Sequence, residues 1–223
     1  MSLRLPASLL LFSALFGLRA LAAEPLTEYA TKAVVRYQEQ PPPAPGSIIF
    51  FGSSSIDMWR PLDAAFPDLP VVNRGMGGTQ LSDAVYLGEA LVFPFAPRLV
   101  VLYAGENDLP PGKTAAEVVA AFERFQAAFR ASNPGTPLLF LALKPSPQRL
   151  AYLPLMREIN AAIAERCAVD PDFTFVDVAT PMLNAEGRPR SDIFLADQLH
   201  MNARGYAIWL RAIDPVMRRA LKP

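Results

Sequence analysis

The side chain in this chain best suited to proton transfer is its single histidine, His200, which follows Asp197 by three residues. Histidine is the one side chain whose unperturbed pKa falls between pH 5 and 8. An adjacent acid can hold an imidazole in the tautomer that a general base needs, and such a base can activate a serine hydroxyl. A serine cluster at residues 53–55 follows an apolar run. These residue types predict nucleophilic chemistry at a serine, provided that the fold brings them together.

The elements that must position these residues are five short apolar runs, which alternate with segments of helical periodicity. The runs contain Val, Ile and Phe without polar alternation, which is typical of strands buried on both faces of a parallel sheet. They span residues 47–51, 70–73, 98–103, 137–143 and 173–178. Helices are predicted over 27–38, 114–131 and 202–221, the second opening with a capping box of Thr114 and Glu117. The alternation predicts a three-layer α/β/α domain with a five-stranded parallel sheet.

Small and polar residues follow four of these strands directly. They form the segments 52–55, 74–79, 104–108 and 144–146. Ligands of open parallel sheets bind outside the carboxyl ends of the strands, so one edge should collect all four segments. The loop that carries Asp197 and His200 precedes the last helix and can fold over the same edge.

Four segments resemble the sequence blocks of the SGNH, or GDSL-type, esterase and lipase family, in the family's order. They are Phe51-Gly52-Ser53-Ser54-Ser55-Ile56, Asn73-Arg74-Gly75-Met76-Gly77-Gly78, Gly105-Glu106-Asn107-Asp108 and Asp197-Gln198-Leu199-His200. The resemblance implies the flavodoxin-like SGNH hydrolase fold. The site residues that it implies are Ser54 as nucleophile and first oxyanion amide, Gly78 as second oxyanion donor, Asn107 as side-chain donor, His200 as base and Asp197 as its orienting acid.

One position departs from the family pattern, because Ser53 stands at the usual aspartate. That aspartate is not a triad member in the family, and the branch with Gly-Ser-Ser-Ser-Ile followed by a tryptophan, here Trp59, is most similar. Each site residue also has a structural alternative. Ser53 and Ser55 are interpreted as turn or cap serines, Gly78 could be only a left-handed turn position, and Asn107 could cap its own loop. Other residues have these predicted roles: Asp108 holds its loop, Trp59, Tyr206 and Trp209 are core, and Lys144, Ser146 and Arg149 line the substrate pocket or lie in a surface loop.

The amino terminus is predicted to be a signal peptide over residues 1–22, because an apolar run ends in Ala20-Leu21-Ala22, which has the form of a cleavage site. An uncleaved membrane anchor is the alternative, although the run is shorter than a span needs. Residues 24–223 then form a single domain, secreted or periplasmic, with no stable membrane anchor. The mature chain has 19 Lys and Arg against 21 Asp and Glu, which argues against nucleic acid as a partner. One His and one Cys, Cys167, cannot build the usual nitrogen and sulfur metal sites, so no cofactor is expected.

The sequence thus predicts a serine esterase that hydrolyses carboxylic esters through an acyl-enzyme. Its expected partner is a small-molecule ester: a lipid ester, a short acyl ester or an acetylated sugar. Lysophospholipase or thioesterase activity on lipids and acyl transfer through the same triad remain open. A non-catalytic carbohydrate- or lipid-binding protein is a further alternative, but a binding module has no need of all five site residues.

Overall fold

The computed structural model describes residues 26–222. The predicted signal peptide lies outside the described residues and stays a prediction. The described chain contains a five-stranded sheet of order β2-β1-β3-β4-β5, with every neighbouring pair parallel. The strands are β1 (Ile48–Gly52), β2 (Val71–Gly75), β3 (Leu99–Tyr103), β4 (Leu138–Leu141) and β5 (Phe173–Val176). Each begins within one residue of its predicted start, so the predicted fold class is confirmed.

Helices cover both faces of the sheet. They are α1 (Glu28–Gln38), α2 (Ser54–Asp57), α3 (Leu62–Ala65), α4 (Ala84–Leu91), α5 (Ala115–Ser132), α6 (Leu153–Ala168) and α7 (Ala203–Ala220). The helices α1, α4, α5 and α6 pack on one face, and α7 packs on the other with the short α2 and α3. Among residues 26–222, none of these helices combines the length and the apolar character that crossing a membrane requires.

The strands are apolar on both sides because both sides are covered. Successive side chains of a strand point to opposite faces. Ile49 and Phe51 therefore enter the core beneath α1, α4, α5 and α6, whereas Ile48 and Phe50 enter the core beneath α7. All five residues of β1 are buried. This central strand ends at the serine cluster, so the cluster begins from a rigid position.

Capping side chains set the starts of the long helices. In the predicted capping box, the Thr114 hydroxyl accepts from the Glu117 amide at 3.3 Å, and the Glu117 carboxylate accepts from the Thr114 amide at 2.8 Å. The Asn202 side chain caps α7 by accepting from the amides of Arg204 and Gly205. A cap of this kind stabilises a helix by about 1 kcal/mol. The cap at Asn202 also fixes the point where the preceding loop must end.

Of the three aromatic residues predicted as core, Trp59 and Trp209 are buried and Tyr206 is partly buried. Trp59 and Trp209 pack against each other, and Tyr206 is partly buried beside them, with its hydroxyl donating to the Ser55 carbonyl at 3.1 Å. Cys167 is a free, buried thiol in α6, and burial raises its pKa to about 12. A thiol in this state is unreactive near neutral pH.

Candidate active site

The turn after β1 is held against β3, and only glycine fits at its first position. A Cβ at Gly52 would lie 1.9 Å from the carbonyl oxygen of Tyr103, and its φ of +134° is one that side chains rarely adopt. The next amide, of Ser53, donates to that same carbonyl at 2.9 Å. The backbone before Ser54 is therefore fixed on the neighbouring strand.

Of the three serines in this cluster, Ser54 is the one that meets His200. Its Oγ lies 3.1 Å from His200 Nε2. Ser53 and Ser55 are each 2 % exposed. The structure thus brings the predicted nucleophile and the predicted base together across 146 residues of sequence.

Asp197 and His200 lie in one short loop that is closed at its base. Phe194 and Met201 form an antiparallel bridge, and inside it the Leu195 amide donates to the His200 carbonyl at 2.8 Å. At the tip, Asp197 Oδ2 lies 2.6 Å from His200 Nδ1. The loop therefore builds the pair from its own residues and directs the second ring nitrogen of His200 at Ser54.

The Asp197 carboxylate also receives backbone hydrogen bonds. Its Oδ1 accepts from the amides of Leu199 and His200, both at 3.0 Å. Desolvation acts to raise the pKa of Asp197, but the hydrogen bonds from the His200 ring and these two amides outweigh it and lower the pKa to about 2. The acid is therefore charged at neutral pH and holds a proton on Nδ1 of the imidazole, which leaves Nε2 free to accept one.

The glycine turn after β2 lies against the nucleophile. A Cβ at Gly77 would be 3.7 Å from Ser54 Cβ, and Gly78 has a left-handed φ of +82°. The Asn107 amide nitrogen donates to the Thr79 carbonyl at 3.0 Å, which ties the loop after β3 to this turn. A primary amide nitrogen carries two hydrogens, so Asn107 retains a second donor. Gly78 and Asn107 are thus joined at the predicted sheet edge.

Asp108 performs the loop-holding role predicted for it. Its Oδ2 accepts from the Leu81 amide at 2.7 Å, and its Oδ1 pairs with Lys113 at 3.2 Å. Burial raises the pKa of this carboxyl. Asp108 thereby fastens the Asn107 loop to the segment that precedes α4.

Of the three residues predicted to line the pocket or lie in a surface loop, Lys144 and Ser146 are each 1 % exposed and Arg149 is partly buried. Lys144 Nζ pairs with Glu106 Oε2 at 2.7 Å, and the Tyr103 hydroxyl donates to the same oxygen at 2.5 Å. In this position Lys144 contacts buried protein groups, and its contact with substrate stays a prediction. Burial raises the pKa of the Tyr103 hydroxyl well above its usual value, so it remains a donor.

The sequence reasoning missed two groups that support the site. Glu106 is the acceptor of the buried cluster just described, and Asp57 holds the glycine turn by accepting from the Gly77 amide at 3.3 Å. Asp57 is in turn paired with Arg36 at 3.0 Å and with Arg60 at 2.7 Å. The position of Glu106 inside the third sequence block was the only signal available for either.

Within residues 26–222, no group of three or more His, Cys, Asp or Glu side chains is arranged to hold a metal ion.

Solved structures share this fold at low sequence identity. A Streptococcus pneumonia protein, provisionally described as a platelet activating factor, superposes with a TM-score of 0.76 at 21% identity, over 86% of this chain and 94% of that chain. A GDSL-like lipase from Bacteroides thetaiotaomicron gives 0.67 at 20% identity, over 86% and 96%. A catalytic mutant of an acetylxylan esterase from Geobacillus stearothermophilus gives 0.61 at 17% identity, over 80% and 94%. Comparison with curated proteins finds no match.

The family model for the GDSL-like lipase/acylhydrolase family matches residues 47–208, which span all five strands and the four sequence blocks. Because this match covers most of the chain, the protein belongs to the GDSL-like lipase/acylhydrolase family and is a hydrolase that acts on esters.

Proposed function

We propose that this protein is a carboxylic ester hydrolase that works through an acyl-enzyme on Ser54. The observation that carries the proposal is the continuous relay in which Ser54 Oγ lies 3.1 Å from His200 Nε2 and His200 Nδ1 lies 2.6 Å from Asp197. A hydroxyl bonded to the acceptor nitrogen of an imidazole, with an acid on the other nitrogen, is the arrangement that activates a serine.

In the first half of the reaction, Ser54 Oγ attacks the ester carbonyl carbon and its proton passes to His200 Nε2. The tetrahedral intermediate then breaks the bond to the alcohol oxygen, which takes that proton as it leaves. Asp197 stays ionised and stabilises the imidazolium that forms between the two steps. In the second half, water attacks the acyl carbon, His200 accepts its proton and returns it to Ser54, and the carboxylic acid is released.

The negative charge on the carbonyl oxygen needs fixed donors. We assign this role to the Ser54 and Gly78 amides and to the second amide hydrogen of Asn107. Support comes from the contact between the glycine turn and Ser54 and from the bond of Asn107 to Thr79. Donors that are held before the reaction stabilise the developing charge without reorganisation.

The exposure of Asp197 and His200 to solvent supports a substrate ester whose alcohol group can be large. The Asp197 side chain is 47% exposed and that of His200 is 23% exposed. Because His200 must protonate the leaving alcohol, the alcohol lies on this open side. Esters of large alcohols, such as sugars or lipids, are therefore the proposed substrate class.

The test is hydrolysis of an ester panel, graded in acyl length and alcohol, by wild type and Ser54→Ala. We expect the variant to fold with an unchanged Tm and to lose about 10⁶-fold in kcat, as triad knockouts do. Ser53→Ala is the matched control, because it removes a neighbouring hydroxyl that does not face His200. Wild-type activity in Ser54→Ala, or loss confined to Ser53→Ala, would refute the assignment.

A further inference from the structure

Helix α1 lies outside the segment matched by the family model, yet hydrogen bonds fasten both of its ends to the site. At its start, the Thr27 amide and hydroxyl donate to Asp83 at 3.0 and 2.7 Å. At its end, the buried Tyr37 hydroxyl donates to the Gly75 carbonyl at 2.6 Å. Gly75 begins the glycine turn of the second sequence block. The helix is therefore held in fixed register with that turn.

A third link joins the last turn of α1 to the nucleophile's helix. Arg36 pairs with Asp57 at 3.0 Å, and Asp57 accepts from the Gly77 amide at 3.3 Å. Asp57 is the last residue of α2, which begins at Ser54. Helix α1 thus contacts both backbone segments that surround the reacting hydroxyl.

The residue of α1 that lies on the glycine turn is Tyr29. A Cβ at Gly78 would lie 2.6 to 2.7 Å from three carbons of the Tyr29 ring, so the ring rests directly on the glycine. Gly77, one residue earlier, faces Ser54 Cβ. The Tyr29 ring therefore lies against the same glycine turn that approaches Ser54.

The ring is also available to a ligand, because Tyr29 remains 49% exposed. An aromatic ring held on a rigid helix offers apolar contact surface at low entropic cost. Large exposed apolar side chains elsewhere on α1 include Val35, which is 54% exposed. Val35 therefore provides a comparison on the same helix.

We propose that Tyr29 lines the acyl-binding side of the site and selects for the acyl group of the ester. This inference rests on the proposed function. His200 must lie beside the leaving alcohol to protonate it, so the acyl group extends away from His200. The carbonyl oxygen points to Gly78, and the Tyr29 ring covers Gly78. The acyl chain then runs along the exposed part of that ring.

The experiment compares acetate and butanoate esters of one alcohol. Each fully buried methylene contributes about 0.8 kcal/mol, or roughly fourfold in kcat/KM, so two contribute about fifteenfold. The Tyr29 ring, which is 49% exposed, can bury only part of each methylene. In Tyr29→Ala we expect the ratio of kcat/KM for butanoate to that for acetate to fall by about 3- to 10-fold, while Tyr29→Phe and Val35→Ala keep the wild-type ratio.

A second arm varies the alcohol with the acyl group fixed at acetate. We expect the alcohol preference to be unchanged in Tyr29→Ala, and a change there would place the ring on the leaving-group side and overturn the inference. A rise in the butanoate ratio would show that the ring blocks acyl chains, which also overturns it. If Ser54→Ala is inactive and Tyr29→Ala keeps the wild-type ratio, only this inference fails. If Ser54→Ala keeps its activity, the proposed function fails instead.

Discussion

Replacing Lys144 by methionine should destabilise the protein far more than removing an ion pair from its surface. In Lys144→Met, Glu106 Oε2 retains the Tyr103 hydroxyl as donor but loses the ammonium at 2.7 Å. The side chains of Lys144 and Glu106 are 1% and 5% exposed, so solvent cannot replace the lost partner. The other carboxylate oxygen, Oε1, is buried and has no hydrogen-bond partner among the described residues.

Removing one partner of a buried pair costs about 3 to 5 kcal/mol. For a chain of about this length, 1 kcal/mol corresponds to roughly 2 to 4 °C in Tm. The expected decrease is therefore about 6 to 20 °C, measured by circular dichroism or calorimetry at neutral pH. A loss of this size is a large part of the total stability of about 5 to 15 kcal/mol that folded domains have.

Two control variants test whether the loss of stability arises from the burial of the ion pair and not simply from the removal of a lysine. Lys32→Met removes the exposed pair of Lys32 and Glu28, whose side chains are 59% and 74% exposed, and should leave the Tm almost unchanged. The double variant Lys144→Met with Glu106→Gln removes both charges and keeps an acceptor for Tyr103, so it should be more stable than Lys144→Met alone. A Tm of Lys144→Met within about 2 °C of wild type, or a double variant that is no more stable than Lys144→Met, would refute this reasoning.

Three further results are expected of the proposed chemistry. Asn107→Ala should lower kcat by about 10²- to 10³-fold with little change in KM, because an oxyanion donor acts in the transition state, and an effect confined to KM would make Asn107 a binding residue. Since the pKa of Asp197 is lowered to about 2, this acid stays charged as the pH falls, so its protonation should not lower kcat/KM at any pH above about 3. The pH profile of kcat/KM measures this, and an ionisation of Asp197 above about pH 3 in an NMR titration would contradict the assignment. Asp197→Asn should cost up to about 10⁴-fold in rate.

The sequence predicted those features that depend on local patterns. Strand starts followed from runs of apolar residues, and the start of α5 followed from Thr114 and Glu117, because both signals act within a few residues. The rule that parallel strands end at one edge placed the serine cluster beside the loop that contains His200, and the choice of Ser54 came from the family resemblance. That rule predicts at which edge of the sheet a residue lies but not whether its side chain is buried.

The prediction for Lys144 did not include its burial. A lysine that directly follows a strand is expected to be exposed or to line a pocket. Lys144 is instead buried because Glu106, 38 residues away in the sequence, accepts a hydrogen bond from its ammonium group. The contact of Tyr29 with Gly78 was equally inaccessible, because nothing in the pattern of α1 distinguishes that tyrosine from a solvated one. Both features arise from packing between distant segments, which periodicity does not report.

The short loop that contains Asp197 and His200 has a mechanical consequence. The bridge between Phe194 and Met201 closes the loop, and the bond between acid and base lies wholly within it, so the two move as one body. The Gln148 amide, in the segment after β4, holds this body by donating to the Gln198 carbonyl at 3.0 Å. A displacement of the loop would leave the bond from Asp197 to His200 intact and would lengthen the 3.1 Å gap to Ser54. The distance from His200 to Ser54 is therefore the part of the triad that depends on how this loop rests on the segment after β4.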